Sequence, residues 1–189
     1  MQAAAGASLT PAGGDAAAAE PLPSPPRRLV LFAAVAFTAW VLDVASKVAA
    51  VETLVGRRPV DVIPGVLDLT VTRNPGAAFS IATSLTALLT VVAIVVVVVI
   101  GWLAVRIRSR AWAVALGLLL GGALGNLTDR MLREPGPFQG HVVDFLRLPN
   151  FPVFNLADSC IVVAAVLIAV QSLRGAGLDG SRESDHTGT

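Results

Sequence analysis

The chain has 189 residues, of which 54% are apolar and only 14% are charged, and its mean hydropathy is +0.73. Soluble domains carry about 25% charged residues, so this deficit indicates a membrane protein. The formal net charge of +1 gives no argument for nucleic acid binding, and a single cysteine excludes an intramolecular disulfide framework and a multi-cysteine metal site. The two histidines, His141 and His186, are too few and too far apart to indicate a zinc site.

The N-terminal part of the chain combines a polar tail with the first predicted span. Residues 1–26 are rich in Ala, Pro and Gly, which predicts a disordered tail. Residues 29–50 follow two arginines and predict a membrane span, because about 20 apolar residues cross the hydrocarbon core. A cleavable signal peptide is the alternative, but the stretch lacks a clean short apolar core and a cleavage site. Asp43 and Lys47 lie four residues apart near its end and predict an ion pair.

The segment between the first two spans, residues 52–84, is more than a connector. Residues 66–73 are rich in β-branched and apolar side chains with partial alternation, which predicts a strand. The sequence Asn74-Pro75-Gly76 is a strong turn signal, and the amide of Asn74 is also suited to holding a peptide backbone. We expect a small β-sheet on the outer surface of the membrane, with Phe79 close to its turn.

Residues 85–105 form the clearest predicted span because they contain no charged side chain, and residues 111–128 form the third, which is shorter but continuous. The loop between them carries three arginines and no acid. Basic residues in short loops favour the cytoplasmic side, so this loop and the arginines beside spans one and four predict cytoplasmic termini. The arginines concerned are Arg27, Arg28, Arg106, Arg108, Arg110 and Arg174.

The third span carries glycines four residues apart, from Gly117 to Gly125, so they share one helix face, which Asp129 continues. Small residues let another helix approach closely, and helix packing explains the glycines. Packing explains the polar side chains of Asn126, Asp129 and Arg130 less well. The neighbours Asp129 and Arg130 could form a structural ion pair at the helix end.

The second outer loop, residues 130–153, contains a Pro-Gly-Pro sequence and two further prolines, and it is a candidate flap. Residues 154–173 predict the fourth span, and residues 175–189 predict a second disordered tail. Asn155 and Asp158 share a helix face at the start of the fourth span. Helix capping explains Asn155, but it explains Asp158 less well because the apolar run resumes almost at once.

Three carboxylates, Asp129, Asp144 and Asp158, lie near the facing ends of the last two spans, where ionisable groups are costly and indicate function. Paired carboxylates can run acid–base chemistry without a metal or a nucleophile, because proximity drives their pKa values apart. The residues alone leave the choice of pair open, since Asp144 could be one polar position in a surface strand. His141 is a possible second base, although a lone loop histidine is more often incidental. Cys160 has no basic partner nearby and is interpreted as a small buried residue.

Five blocks of the sequence, taken in order, resemble the lipoprotein signal peptidase family, also called signal peptidase II. The blocks are Asp43-Val44-Ala45-Ser46-Lys47, Arg73-Asn74-Pro75-Gly76-Ala77-Ala78-Phe79-Ser80, Gly121-Gly122-Ala123-Leu124-Gly125-Asn126-Leu127-Thr128-Asp129-Arg130, Val142-Val143-Asp144-Phe145 and Phe154-Asn155-Leu156-Ala157-Asp158-Ser159. Each block alone is weak, but five in order on a four-span frame are specific. The resemblance covers about residues 29–173 and leaves out both tails.

The resemblance implies a bacterial aspartyl endopeptidase of the cytoplasmic (inner) membrane. Such enzymes remove signal peptides from prolipoproteins after a diacylglyceryl group is attached to the lipobox cysteine, and they cleave on the N-terminal side of that cysteine. The resemblance implies that Asp144 and Asp158 are the catalytic pair, beside an extracytoplasmic β-cradle and a flap. The stretch between these two residues looks a few residues shorter than in typical members, which leaves the shape of the flap open. Candidate residues for substrate contact or support are Asn74, Gly76, Asn126, Asp129, Arg130 and Asn155, together with Asp43 and Lys47.

Together the patterns predict an α-helical polytopic membrane protein with four transmembrane helices, a small extracytoplasmic β-sheet and a flap loop. Its peptidase domain is residues 27–174, and its termini are cytoplasmic. We expect no metal and no cofactor. The predicted partners are diacylglyceryl-prolipoprotein substrates and membrane lipid, with no nucleic acid, and a site completed by one chain favours a monomer.

Two other functions stay open at this point. The first is a small proton- or cation-coupled transporter subunit, whose intramembrane acids would relay protons or bind a cation. Transporters usually hold their acids near the bilayer midplane and often carry internal repeats, whereas these acids cluster at one face and no repeat is visible. The second is a structural assembly factor, for which replacing Asp144 and Asp158 by Asn would leave function intact.

Overall fold

The computed structural model describes residues 26–76 and 82–181. Each of its four long helices is long and apolar enough to cross a membrane. The four predicted spans are therefore confirmed, and the third helix extends past Asp129 and Arg130. The helices are α1 (Leu29–Leu54), α2 (Ala82–Ala104), α3 (Arg110–Leu132) and α4 (Leu156–Leu173). The expectations for Phe79 and for the outermost parts of both tails concern residues outside the described ranges.

Three short strands form an open antiparallel sheet in the order β1-β2-β3. They are β1 (Val60–Ile63), β2 (Leu67–Asn74) and β3 (Val142–Arg147). The strand predicted at residues 66–73 is confirmed as β2, which lies in the centre and places Thr72 opposite Asp144 of β3. β3 lies in the loop that we interpreted as a flap, where a surface strand was only the alternative interpretation of Asp144. Its six residues are buried at the first four positions, so they lack the alternation that identifies a strand with one exposed face.

The glycines of α3 bring its backbone close to two neighbouring helices. A Cβ atom on Gly121 would lie 2.6 Å from the carbonyl oxygen of Ala36 in α1, and one on Gly122 would lie 2.6 Å from that of Ala157 in α4. Only a residue without a side chain permits such an approach on both faces. Helix packing therefore explains this stripe, as the spacing predicts.

Replacing Gly121 by Ala is expected to lower the free energy of unfolding by about 1–3 kcal/mol, because the added methyl group overpacks the contact with α1. Gly101→Ala in α2 is the matched control, since a Cβ atom there meets open space. The control is expected to be neutral or stabilising, because Ala favours a helix over Gly by about 1 kcal/mol. Thermal unfolding of both purified variants in one detergent measures the difference, and equal melting temperatures would contradict the tight packing.

The two ends of the helix bundle are different. α1 and α3 begin, and α2 and α4 end, at the same end, where the backbone N–H of Arg28 donates to the carbonyl oxygen of Ile107 at 2.9 Å. The main cluster of buried apolar side chains also lies there and includes Phe32, Ile100 and Ile107. The sheet lies at the opposite end, because β1 and β2 connect α1 to α2 and β3 connects α3 to α4.

The residues that follow α4 fold back onto the loop between α2 and α3. The backbone N–H groups of Arg108 and Ser109 donate to the carbonyl oxygen of Leu178 at 2.9 and 3.1 Å. The indole N–H of Trp112 donates to the carbonyl oxygen of Ala176 at 2.8 Å. These contacts differ from the disorder that we predicted from Gly175 onward. The apolar side chain of Leu178 packs on the buried cluster, which accounts for the difference as far as residue 181.

Candidate active site

The carboxylates of Asp144 and Asp158 line one cavity of about 620 Å³. Asp144 lies on β3 with only 2% of its surface exposed, and Asp158 is in the first turn of α4. Apart from these acids, Asn74 and Ser159, the part of the wall formed by the described residues is apolar. Its apolar residues are Leu148, Phe151, Pro152, Val153, Phe154, Val162 and Val163. The structure thus brings together the two residues that the resemblance implies as a catalytic pair.

Two asparagine side chains donate hydrogen bonds to Asp144. The Nδ2 atom of Asn74 donates to Oδ2 at 2.9 Å, and that of Asn155 donates to Oδ1 at 2.6 Å. The Oδ1 atom of Asn74 accepts the backbone N–H of Gly76 at 2.7 Å, so the amide nitrogen of Asn74 faces the carboxylate. Gly76 has a φ of +94°, and a Cβ atom there would lie 2.7 Å from the side chain of Leu89. The predicted turn therefore fixes one of the two donors.

Asp158 also accepts a donor at each carboxylate oxygen. The Nδ2 atom of Asn126 donates to Oδ1 at 2.8 Å, and the backbone N–H of Asn155 donates to Oδ2 at 3.2 Å. The backbone N–H of Asp158 donates in return to the side chain of Asn155 at 2.9 Å, which completes a capping box. Asn155 therefore caps α4 and at the same time contacts both carboxylates. Helix capping therefore accounts for Asp158 as well as for Asn155, although the apolar run that resumes soon after Asp158 did not favour that interpretation.

Burial raises the pKa of Asp144 from 3.8 to about 6. The hydrogen bond from Asn74 opposes this rise, and the negative charge of Asp158 adds to it. A carboxyl group with this pKa can hold a proton under mildly acidic conditions, where an ordinary aspartate is ionised. Such a group fits the requirement that one member of a carboxylate pair stays protonated.

A buried network of charges lies behind the two carboxylates. The Nζ atom of Lys47 lies 2.7 Å from Asp43 and 3.1 Å from Asp129, and it donates to Oδ1 of Asn126 at 2.9 Å. The ion pair predicted from the spacing of Asp43 and Lys47 is confirmed, and both side chains are fully buried. Because an ammonium group only donates, Lys47 holds the amide oxygen of Asn126 and leaves its nitrogen for Asp158.

Asp129 has contacts that hold the site together, and it does not line the carboxylate cavity. Its carboxylate forms ion pairs with Lys47 and Arg133, and its Oδ2 atom accepts the backbone N–H of Val143 at 3.1 Å. This bond anchors β3 one residue before Asp144. The ion pair that we considered with Arg130 forms instead with Arg133, one helical turn further on. Sequence reasoning missed Arg133, although its spacing of four from Asp129 could have indicated it.

Arg130 is a buried cation beside the site. Only 8% of its surface is exposed, and its Nη1 atom has no hydrogen-bond partner among the described residues. A Cβ atom on Gly76 would lie 3.1 Å from the other terminal nitrogen, so the glycine makes room for the guanidinium group. Arg130 and Asn126 also line a neighbouring cavity of about 230 Å³ with apolar side chains of α2, α3 and α4. Arg130 is therefore a buried cation next to the pair, as its place in the sequence block predicts for a supporting residue.

Two other candidates from the sequence lie away from the pair. His141 lines a separate cavity of about 390 Å³ with Arg73 and Glu134. Cys160 is half-buried and lines an apolar groove against α1. Neither residue lines the cavity of Asp144 and Asp158, so the geometry gives them no part in the chemistry of that pair.

Known proteins resemble this chain in sequence and in fold. A family model described as signal peptidase (SPase) II matches residues 35–174. The lipoprotein signal peptidase of Mycobacterium tuberculosis (strain CDC 1551 / Oshkosh) is 47% identical over 165 residues, which are 86% of this chain and 82% of that protein. The lipoprotein signal peptidase of Streptomyces coelicolor is 48% identical over 159 residues, which are 84% of this chain and 78% of that protein.

Solved structures also resemble this chain in fold. Two structures of a bacterial membrane enzyme superpose with TM-scores of 0.67 and 0.70 at 27% sequence identity. They match 80% of this chain and 92% and 98% of their own chains. The match to the family model and the identity to the mycobacterial and streptomycete relatives lead to one conclusion: this chain belongs to the signal peptidase II family.

Proposed function

We propose that the chain is an aspartyl endopeptidase that removes signal peptides from prolipoproteins and cleaves before a cysteine carrying a diacylglyceryl group. One observation carries the assignment of the pair: Asp144 and Asp158 line one cavity, and each of their four oxygens accepts an N–H group. The membership of the signal peptidase II family supports the reaction. The residues Asn74, Gly76, Asn126, Asp129, Arg130, Asn155, Asp43 and Lys47 support the pair or contact the substrate.

In the proposed mechanism, Asp144 and Asp158 share one proton. The ionised carboxylate takes a proton from a water molecule, which attacks the carbon of the scissile carbonyl. The protonated carboxyl group donates a hydrogen bond to the carbonyl oxygen, and a proton then passes to the leaving nitrogen. No acyl-enzyme forms. The acid and base roles are assigned to the pair and not to either residue alone.

The apolar wall of the cavity fits a lipid-modified peptide. Val162 and Val163 lie on the exposed side of α4, with 63% and 49% of their surfaces accessible, so the cavity reaches the side of the helix that faces lipid. Phe151 packs edge to face on Phe154 at a centroid distance of 5.7 Å. Acyl chains attached next to the scissile bond could therefore stay in the bilayer while the carbonyl reaches the acids.

The charge distribution supports an orientation in the membrane. We place the end of the bundle that carries the arginine-rich loop between α2 and α3 in the cytoplasm, together with both termini. The sheet and the carboxylate pair then lie at the extracytoplasmic face of a bacterial inner membrane. A monomer suffices, because a single chain supplies Asp144, Asp158 and all of their donors.

A cleavage assay on purified protein in detergent tests the proposed reaction. The substrate is a prolipoprotein carrying a diacylglyceryl group, and the control is the same prolipoprotein without the lipid. The protein is expected to shorten the modified substrate, seen as a shift on a gel, and to leave the unmodified one intact. If folded protein leaves the modified substrate intact, with or without added divalent metal, the proposal is wrong.

The pH dependence of kcat/KM follows from the pKa of Asp144. Above about pH 6 the pair loses its last proton, so the rate is expected to fall about tenfold per pH unit. At low pH the second carboxylate is protonated, no base is left, and the rate falls again. Initial rates measured at about ten pH values between pH 4 and pH 8.5 give the profile. A rate constant that stays flat from pH 6 to pH 8.5 would contradict a shared proton.

A further inference from the structure

The bundle end opposite the sheet, here called the arginine end, carries a concentration of positive charge. Its six arginines come from the start of α1, the loop between α2 and α3, the start of α3 and the end of α4. Among the described residues of this end, Asp179 is the one carboxylate. The arginines are Arg27, Arg28, Arg106, Arg108, Arg110 and Arg174.

Backbone contacts hold these segments in one place. Ile107 is fully buried, and its carbonyl oxygen accepts the N–H of Arg28 at 2.9 Å, which joins the start of α1 to the loop. The N–H of Arg108 donates to Leu178 at 2.9 Å, which joins the loop to the segment after α4. Arg106, next to Ile107, remains exposed. The backbone segments that carry these arginines are thus held next to each other.

The side chain of Trp102 indicates where the arginine end lies relative to the membrane surface. The guanidinium group of Arg106 lies 4.3 Å from the centre of the Trp102 ring, and 60% of Trp102 is exposed. Exposed tryptophans at the ends of spans sit at the level of the lipid headgroups. The stacking therefore holds Arg106 at the depth of the lipid phosphates while leaving its N–H groups to donate.

Arg28 adds a donor without an acceptor. Its Nε atom is buried and has no hydrogen-bond partner among the described residues, although the side chain as a whole is half-buried. A buried donor that stays unpaired costs free energy. A phosphodiester group suits an arginine at a helix end, because its oxygens accept two parallel N–H groups from one guanidinium.

We propose that the arginine end binds the headgroup of an anionic glycerophospholipid from the surrounding membrane. Arg28 and Arg106 contact the phosphodiester, and Arg27 and Arg110 add charge. A zwitterionic headgroup is bound less well because its own cation cancels the charge of the phosphate. Basic pockets between helix ends bind anionic lipids in this way. The proposal is independent of the peptidase reaction.

Lipid titration of the full-length protein, followed by native mass spectrometry, tests the proposal. Phosphatidylglycerol is the probe, and phosphatidylcholine with the same acyl chains is the comparison. The wild type is expected to bind phosphatidylglycerol at least about tenfold more tightly. The double variant Arg28→Gln/Arg106→Gln is expected to bind it about 30-fold more weakly than the wild type, since each lost arginine weakens binding roughly fivefold.

The control is Arg57→Gln/Arg58→Gln, which removes two exposed arginines near the sheet and is expected to keep wild-type affinity. An equal loss in both double variants would show general charge attraction and would overturn the proposal, as would equal binding of the two lipids by the wild type. If Arg28→Gln lowers the melting temperature in a zwitterionic detergent, Arg106→Gln/Arg110→Gln makes the same test with two exposed side chains.

Discussion

Asp144→Asn and Asp158→Asn are each expected to lower kcat/KM for prolipoprotein cleavage by at least about 10³-fold. Each change removes one member of the pair that activates water and protonates the leaving nitrogen. The amide cannot take a proton from water, and at Asp144 it also meets the donors of Asn74 and Asn155. A gel-shift assay with the diacylglyceryl-modified substrate measures the loss, after thermal unfolding has shown that each variant is folded.

Asp68→Asn is the matched control for these variants. Asp68 lies on β2, beside the strand that carries Asp144, and forms a partly exposed ion pair with Arg147 at 2.6 Å. It does not line the carboxylate cavity, so its replacement is expected to change kcat/KM by less than about twofold. If Asp144→Asn retains activity while Asp129→Asn and Asp158→Asn are inactive and folded, the enzyme class stands but the assigned pair is wrong.

Lys47→Met is expected to lower the free energy of unfolding by about 3–5 kcal/mol, the largest stability loss of any single change proposed here. The substitution leaves the carboxylates of Asp43 and Asp129 buried without their shared cation. An uncompensated charge in the interior raises the free energy of the folded state by far more than an ion pair lowers it, because neither water nor a counterion reaches the charge. Unfolding of the purified variant by heat in a mild detergent measures the effect.

Arg147→Met is the control for Lys47→Met, because it removes a cation from an ion pair whose side chains are 42% and 22% exposed. The expected loss is below about 1 kcal/mol, since water solvates the remaining Asp68. Adding Asp43→Asn to Lys47→Met is expected to recover part of the stability, because Asp129 keeps its ion pair with Arg133 and the carboxylate that lost its cation is removed. Equal melting temperatures for Lys47→Met and Arg147→Met would contradict the role of the buried network.

Local patterns in the sequence predicted the elements that depend on local physics. The four spans follow from length and apolarity, and the pair of Asp43 and Lys47 follows from their spacing on one helix. Strand β2 follows from its composition and the turn at Asn74. The third strand could not be predicted in this way, because its pairing with β2 joins residues about 70 positions apart and its burial hides the alternation.

The choice among the three carboxylates also depends on distant contacts. The residues alone left the choice among Asp129, Asp144 and Asp158 open, and only the resemblance to a family selected Asp144 and Asp158. The structure distinguishes them by their partners, since Asp129 pairs with Lys47 and Arg133, whereas Asp144 and Asp158 accept amide donors. The contact between Asp129 and Lys47 joins different helices, so no spacing rule could have revealed it. The catalytic roles themselves stay predictions until the variants are measured.

The asparagines place neutral amides between the buried ionic network and the two acids. Lys47 reaches Asp158 only through the amide of Asn126, which accepts from the ammonium group and donates to the carboxylate. The amides thus act as spacers, through which a buried ionic framework orients two acids with no direct salt bridge to either of them among the described residues.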